Sequence, residues 1–184
     1  ILRDGDYAAA QRAIPEESLG RNRVFFLPYL MGERSPINDT NARGTFTGMT
    51  MDTTRGDMTL AVLEGVAFAI RDSFEVARSI GVEIPRSFIC GGGSRSALWR
   101  RIMANVLGIP LDIPATEQGP GYGAAMLAMV ACGEFASVKE AAAALVRVTD
   151  TVEPERELAE RYDERYSRFS KIYPACKELF AEIV

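Results

Sequence analysis

The sequence predicts a single α/β domain, and three observations lead to this fold class. The chain has 184 residues, of which 47% are hydrophobic, so it is long enough to bury one well-packed core. Its central part alternates helical and strand patterns in the order helix, strand, helix, strand, helix, which is typical of parallel strands joined by helices. Three consecutive glycines, at residues 91–93, lie where the first of these strands meets the next helix.

The residues before the glycines predict two short strands and a long helix. Residues 23–28 are aromatic and apolar, and the proline at their end confines any strand there to an edge or an end. Residues 45–47 alternate around glycines, a pattern typical of a short strand or hairpin. From residue 57 to about residue 80, apolar side chains recur every three or four positions, which predicts an amphipathic helix that Gly81 ends.

The stretch around the glycines predicts a strand that leads directly into a helix. The letters SFIC at residues 87–90 indicate a short buried strand. Ser94 or Ser96 then caps a helix that Gly108 ends. Residues 109–114 predict the second strand of the parallel pair.

The C-terminal part predicts helices only. Small and apolar residues at 119–133 indicate one helix, and residues 137–146 indicate another. A long amphipathic helix follows, which Pro174 should kink or interrupt. Its aromatic stripe belongs to the core, and the charged side chains of residues 160–168 form a solvated face. We divide the single domain, residues 1–184, into a leading helix and loop at 1–22, an α/β core at 23–150 and a C-terminal helix at 151–184.

Composition excludes several classes of function. The net charge of −4 has both signs mixed along the chain, which argues against a nucleic-acid or membrane surface. The longest apolar runs are far shorter than the roughly 20 residues of a membrane span. The chain has no histidine, so any proton transfer must use other groups. Its three cysteines lack metal spacing and even pairing, which indicates reduced thiols and a cytoplasmic location.

The glycine run has two interpretations that the residues alone leave open. One is a structural turn, and the other is a ligand site, because the free N–H groups of a helix N-terminus can bind a phosphate or ribose where glycine lets it approach. The spacing Gly91-x-Gly93-x-x-Ser96 is similar to the dinucleotide-binding fingerprint, with Asp112 about 20 residues further on. However, serine replaces the third glycine, and Asp112 lies inside the predicted strand.

Three ordered segments together resemble the C-terminal half of the FGGY carbohydrate kinases, most closely the kinases of ketopentoses such as xylulose. The first is FLPYLMGERSPINDTNARGTFTGMT at residues 26–50. The second, GTFTGMTMDTTRGDMTLAVLEG at residues 44–65, fits a signature of the family, gap length included. The third runs from CGGGSRSALW to GPGYGAAMLA at residues 90–128.

The resemblance implies a ribonuclease H-like fold of the actin, hexokinase and Hsp70 ATPase type, truncated at its N-terminal edge. It implies ATP and Mg²⁺ as cofactors and an adenine nucleotide as the ligand of the glycine turn. By that resemblance Gly91 makes the turn, Gly92 and Gly93 lie against the adenosine, and Ser96 stands at a hydrogen-bonding position. The general-base Asp is expected before Ile1, so no catalytic or metal-binding residue is expected within this chain.

The same resemblance implies the function of a longer protein. We expect it to phosphorylate a ketopentose at its terminal hydroxyl, with the sugar bound mainly by a preceding domain and with a homodimer as a candidate assembly. Alternatives are a gluconate, ribulose or glycerol type of kinase, or a non-catalytic nucleotide-binding module. Because Ile1 is not an initiator methionine, we expect the chain to be cut from a longer one. The resemblance implies that the phosphate loop, the sugar-binding residues and the general base precede Ile1, so we expect the chain to be inactive alone.

Three other residues are predicted to be structural. Asp57 is expected in the first turn of its helix, where the helix dipole favours an acid. Glu64, on an otherwise apolar helix, is expected to be buried and hydrogen-bonded. Trp99 is expected to pack under the glycine turn rather than to stack on a base.

Overall fold

The computed structural model describes residues 6–116 and 119–183. The helices are α1 (Tyr7–Arg12), α2 (Arg55–Ser79), α3 (Ala97–Leu107), α4 (Gly119–Ala131), α5 (Val138–Leu145), α6 (Arg156–Phe169) and α7 (Ile172–Ile183). The strands are β1 (Phe25–Leu27), β2 (Thr45–Thr47), β3 (Ser87–Phe88), β4 (Leu111–Pro114) and β5 (Val148–Val152). Short 3₁₀ turns cover Glu16–Ser18 and Gly92–Arg95.

The two N-terminal strands form a small antiparallel sheet. Phe25 pairs with Thr47 and Leu27 pairs with Thr45. β1 ends at the residue before Pro28, because proline has no N–H to donate to a neighbouring strand. The strand predictions for this region are confirmed.

The second sheet has the strand order β3-β4-β5 and places the glycine turn at one end of its shortest strand. β3 and β4 are parallel, as predicted, with Phe88 opposite Asp112. β3 includes only two of the four residues predicted as strand. β5 is antiparallel to β4 and was not predicted, because its sequence VTDTV has polar residues at the positions where a buried strand would be apolar.

The long helix α2 begins with a reciprocal pair of hydrogen bonds. The Thr54 hydroxyl accepts from the Asp57 amide at 3.1 Å, and the Asp57 carboxylate accepts from the Thr54 amide at 2.9 Å. This capping box satisfies two N–H groups that have no partner within the helix, and hydrogen bonds from Thr54 lower the pKa of Asp57. The structural role predicted for Asp57 is therefore confirmed.

The main core lies between α2, α3, β1 and the C-terminal helices. Buried side chains of this core include Leu27, Leu60, Phe68, Ile102, Val106, Leu111, Tyr162, Phe169 and Phe180. The helical pattern predicted after residue 151 is divided into α6 and α7 at residues 170–171. Pro174 lies in the first turn of α7, where its missing N–H costs no helical hydrogen bond.

A buried ion pair joins α2 to α6. The Arg165 guanidinium donates to the Glu64 carboxylate at 2.7 Å, and the two residues are 3% and 0% exposed. Arg165 also donates to the Val24 carbonyl at 3.2 Å, and the Gly20 amide donates to Glu64 at 3.4 Å. The buried structural role predicted for Glu64 is confirmed.

The prediction that residues 160–168 form a solvated face is wrong for Arg165. Asp163, Glu164 and Arg168 are exposed, as predicted. Arg165 follows Tyr162 by three residues and precedes Phe169 by four, so the helical repeat places it in the buried stripe of α6. Its charge is accommodated there because Glu64 occupies the facing position on α2.

Burial raises the pKa of Glu64 to about 7, against the opposing effect of the Arg165 guanidinium. A carboxyl group whose pKa is raised by folding holds its proton more tightly in the folded chain than in the unfolded one. The folded chain therefore loses stability as the pH rises from 4.5, the usual pKa of this carboxyl group, through its raised pKa of about 7.

We predict that Arg165→Met destabilises the fold by about 3–5 kcal/mol, because it leaves the Glu64 carboxylate buried without a counter-charge. The folded pKa of Glu64 should rise further in this variant, so the loss should be larger at pH 8.5 than at pH 6. Urea unfolding at the two pH values measures both effects.

Arg161→Met is the matched control on the same helix. Arg161 forms a surface ion pair with Glu157 at 3.7 Å, so its loss should cost at most about 1 kcal/mol. Equal losses for the two variants, or a loss at Arg165 that does not grow with pH, would contradict the account of the buried pair.

Candidate functional site

The glycine turn begins where β3 ends. Ile89 donates its amide to the Asp112 carbonyl at 3.0 Å and is the last residue tied to β4 in this way. Gly91 then has φ 84° and ψ −178°, a backbone conformation that is essentially restricted to glycine. The chain therefore needs glycine at this position to turn from the sheet toward α3.

The residues after Gly91 form a short, internally bonded arch. Ser94 donates its amide to the Gly91 carbonyl at 3.1 Å, and its hydroxyl donates to the same oxygen at 2.7 Å. Ser96 donates its amide to the Gly93 carbonyl at 3.0 Å. These bonds fix the backbone of the turn without any contribution from a ligand.

Ser96, rather than Ser94, is the N-cap of α3. Its hydroxyl oxygen accepts from the Trp99 amide at 3.1 Å, and its hydroxyl proton is donated to the side-chain oxygen of Gln11 at 2.5 Å. A hydroxyl oxygen can accept two hydrogen bonds, and among the described residues only the Trp99 amide donates to the Ser96 oxygen. The bond to Gln11 also ties the helix α1 to the glycine turn.

The three glycines differ in what surrounds them. A Cβ added at Gly91 or Gly92 would meet no described atom within 4 Å, so both face open space. A Cβ at Gly93 would lie 3.0 Å from the indole nitrogen of Trp99. Trp99 therefore packs beneath the turn, as predicted, and Gly91 and Gly92 are the glycines with room for a ligand to approach the backbone.

A pocket of about 240 Å³ lies beside the turn. Its lining includes Cys90, Ser94 and two arginines, Arg95 and Arg100. The Nε atom of Arg100 is buried without a hydrogen-bond partner among the described atoms. Hydroxyl, backbone and guanidinium groups are the donors that proteins use for polar and anionic ligands, so this pocket suits such a ligand better than an apolar one.

The structure removes the dinucleotide-binding interpretation. Asp112 is 2% exposed, and its carboxylate accepts from the Thr151 hydroxyl at 2.7 Å and pairs with Arg86 at 3.3 Å. Its oxygens are thus engaged within the sheet, where they join β4 to β5. Asp112 is not available to bind a ribose at the glycine turn.

Sequence reasoning missed Gln11 and Arg100 at the turn. Gln11 is 85 residues from its partner Ser96, and no local pattern connects two such positions. Arg100 could have been found, because it lies four residues after the cap of α3 and therefore on the same helical face.

The described residues also limit other site types. Within residues 6–116 and 119–183, no group of three or more cysteine and carboxylate side chains could hold a metal ion. Over the same ranges, the helices are too short or too polar to cross a membrane.

Comparison with known proteins identifies the family. The family model described as the FGGY family of carbohydrate kinases, C-terminal domain, matches residues 2–132. The xylulose kinase of Escherichia coli K12 is 35% identical over 175 residues, which are 95% of this chain and 35% of that protein. The chain belongs to the FGGY family of carbohydrate kinases, and the resemblance inferred from the three segments is confirmed.

Solved structures agree on the fold. The xylulose kinase from Rhodospirillum rubrum matches with a TM-score of 0.77 and 35% identity, over 95% of this chain and 34% of that one. The gluconate kinase from Lactobacillus acidophilus matches with a TM-score of 0.85 and 27% identity, over 97% of this chain and 36% of that one. The predicted fold class, the actin and hexokinase type of ATPase domain, is confirmed, and the chain spans about a third of the length of these relatives.

We predict that Gly91→Ala destabilises the chain by about 1–3 kcal/mol, because alanine is strained at φ 84° even where space is open. Gly92→Ala is the matched control, since its Cβ also meets open space but the backbone has no positive φ. Its effect should stay within about 0.5 kcal/mol. Thermal unfolding of both variants measures the difference, and a Gly91→Ala variant as stable as the control would show that the turn is not strained.

Proposed function

We propose that this chain is the nucleotide-binding side of an ATP-dependent kinase that converts D-xylulose to xylulose 5-phosphate. The observation that carries the proposal is the turn between β3 and α3, where Gly91 and Gly92 leave the backbone open at the N-terminal end of a helix. The family and the xylulose kinases among its relatives support the reaction type.

In this proposal the turn residues hold the adenosine end of ATP. Gly91 makes the turn, while the backbone of Gly92 and Gly93 lies against the adenosine. The Ser96 hydroxyl can accept a second hydrogen bond, from the amino group of adenine, since its bonds to described residues are one accepted from Trp99 and one donated to Gln11. None of these groups reacts, so their role is to bind and orient.

The residues around the turn do not fit Mg²⁺. Magnesium prefers carboxylate, water and phosphate oxygens in octahedral geometry, whereas the turn offers amides, hydroxyls and guanidinium groups. We therefore place the Mg²⁺ of the kinase with the phosphates, away from the turn, and assign it no residue of this chain.

Phosphoryl transfer requires positioning and charge neutralisation from several sides of the reacting phosphate. The turn contributes to one side only, and no described residue is assigned as general base. We therefore expect no kinase turnover from the isolated chain. A coupled assay that detected xylulose-dependent release of ADP by this chain would contradict that expectation.

A second candidate is a kinase for another sugar, a sugar acid or a polyol, of the gluconate, ribulose or glycerol type. The gluconate kinase from Lactobacillus acidophilus supports this candidate. Its fold matches this chain with a TM-score of 0.85, which is no lower than the 0.77 of the xylulose kinase from Rhodospirillum rubrum. The turn contacts the nucleotide in this proposal and not the sugar, so it does not select between substrates. A third alternative is a non-catalytic nucleotide-binding module. The longer protein would then show no kinase turnover, whereas a kinase for either substrate would.

We also propose a cytosolic location. All three cysteines, Cys90, Cys132 and Cys176, are free thiols, which suits a reducing compartment.

We predict that Gly92→Asp in the longer kinase weakens binding of MgADP at least tenfold. The added carboxylate would occupy the open space at Gly92, where the adenosine is proposed to lie against the backbone, and would set a charged group against its uncharged surface. The fold should survive, since Gly92 has no positive φ. Isothermal titration with MgADP measures the affinity.

Ser79→Asp is the control, because it adds the same charge at an exposed position at the end of α2. The assignment of the turn fails if Gly92→Asp binds MgADP as tightly as this control does.

A further inference from the structure

The hydroxyl oxygen of Ser96 is held in place by the start of α3. As the N-cap of that helix, it accepts from the Trp99 amide at 3.1 Å. The Ser96 amide donates to the Gly93 carbonyl at 3.0 Å, and the Ser96 carbonyl accepts from the Arg100 amide at 3.0 Å. The turn and the helix therefore fix the oxygen atom, and only the direction of its proton remains to be set.

Gln11 sets the direction of that proton. The Ser96 hydroxyl donates to the side-chain oxygen of Gln11 at 2.5 Å. A side-chain amide oxygen can only accept a hydrogen bond, and a backbone amide can only donate one. Because its proton is directed at Gln11 and Trp99 already donates to it, the Ser96 hydroxyl can offer a ligand only an acceptor.

The helix that carries Gln11 is anchored at both ends. Asp6 caps α1 by accepting from the Ala8 amide at 2.9 Å. Ile14 donates its amide to the Gln11 carbonyl at 3.1 Å and packs against the main core. α1 has only six residues, too few for a stable helix on its own, so these contacts are what bring Gln11 to the turn.

Purine bases differ in the group that such a hydroxyl can recognise. Adenine carries an exocyclic amino group, which donates, whereas guanine and hypoxanthine carry a carbonyl oxygen at the same position, which accepts. An acceptor that faces a carbonyl oxygen forms no hydrogen bond, and both groups lose their hydrogen bonds to water. A hydroxyl limited to accepting therefore favours adenine and disfavours the other two bases.

We propose that Gln11 determines the base specificity of the nucleotide site: by accepting the Ser96 proton, it makes the glycine turn select adenine over guanine and hypoxanthine. This role rests on the proposed function, because it requires Ser96 to face the base. Gln11 acts through Ser96, so it is a positioning residue.

A purely structural role for the same hydrogen bond would tie α1 to α3 and nothing more. Replacing Gln11 would then lower the stability of the protein and weaken the binding of every nucleotide by the same factor. The preference for one base over another is therefore the measurement that separates the two roles.

The test compares the binding of MgADP and MgIDP to the longer kinase by isothermal titration. The unaltered kinase should bind MgADP at least about tenfold more tightly than MgIDP, whose hypoxanthine leaves the Ser96 hydroxyl without a donor. Gln11→Leu should reduce this ratio at least about fivefold. The reduction should come from tighter binding of MgIDP, since the released hydroxyl proton can turn toward the base carbonyl.

Gln11→Glu is the conservative variant. A carboxylate accepts hydrogen bonds but cannot donate them, so it should keep the Ser96 proton in the same direction. The preference for MgADP should therefore stay within about threefold of that of the unaltered kinase. Arg12→Leu is the matched control on α1, since Arg12 is exposed and pairs with Asp6. It should leave both affinities within about twofold.

Ser96→Gly shows whether Gln11 acts through the hydroxyl. Glycine is an acceptable N-cap, so this variant removes the hydroxyl at little cost to α3. In the Ser96→Gly background, Gln11→Leu should change the ratio of the two affinities by less than about twofold.

Three results would overturn the inference and leave the proposed nucleotide site intact. One is an equal change in both affinities on Gln11→Leu, which would leave only a structural tie. Another is a preference of the unaltered kinase for MgIDP, which would mean that Gln11 donates to Ser96. The third is a full effect of Gln11→Leu in the Ser96→Gly background. If MgADP does not bind, or binds the Gly92→Asp variant equally well, the proposed function fails and this role of Gln11 fails with it.

Discussion

The ion pair between Glu64 and Arg165 is the constraint on which the positions of the other elements depend. It joins α2 to α6 in the middle of the core, and through Gly20 and Val24 it also fixes the segment that leads into β1. Burying two charges away from water costs free energy, so this arrangement is stable only while both partners are present. The pair therefore holds α2 against α6 at Glu64 and Arg165.

The position of the glycine turn depends on α2 and α6, because both helices hold α3 in place. Arg71 and Arg78 of α2 donate to the carbonyls of Val106 and Leu107 at 3.0 Å, which satisfies the C-terminal end of α3. In the last turn of α3, Asn105 accepts from the amide of Glu155, the residue just before α6, at 2.7 Å. With α3 held by both helices, the turn at its N-terminus projects from a rigid element, which is what a binding site requires.

Much of the fold and part of the site could be predicted from the sequence. The helices, the parallel strands and a possible turn at the glycine run follow from periodicity and from glycine placement, whereas the resemblance to the family assigned the turn to Gly91. The strand β5 was missed because Thr151 is held by Asp112, a tertiary contact rather than a local pattern. Gln11 was missed for the same reason. Arg165 was misassigned because charge was given more weight than its place in the helical repeat.

The central claim is that the turn at residues 91–96 binds an adenine nucleotide. It is tested most directly by titrating the isotope-labelled chain with MgADP while the backbone amide resonances are followed. The account predicts saturable shifts centred on Gly91, Gly92 and Gly93, with little change at Gly81 and Gly133, the glycines that end other helices. Shifts centred elsewhere, or none at millimolar nucleotide, would contradict it.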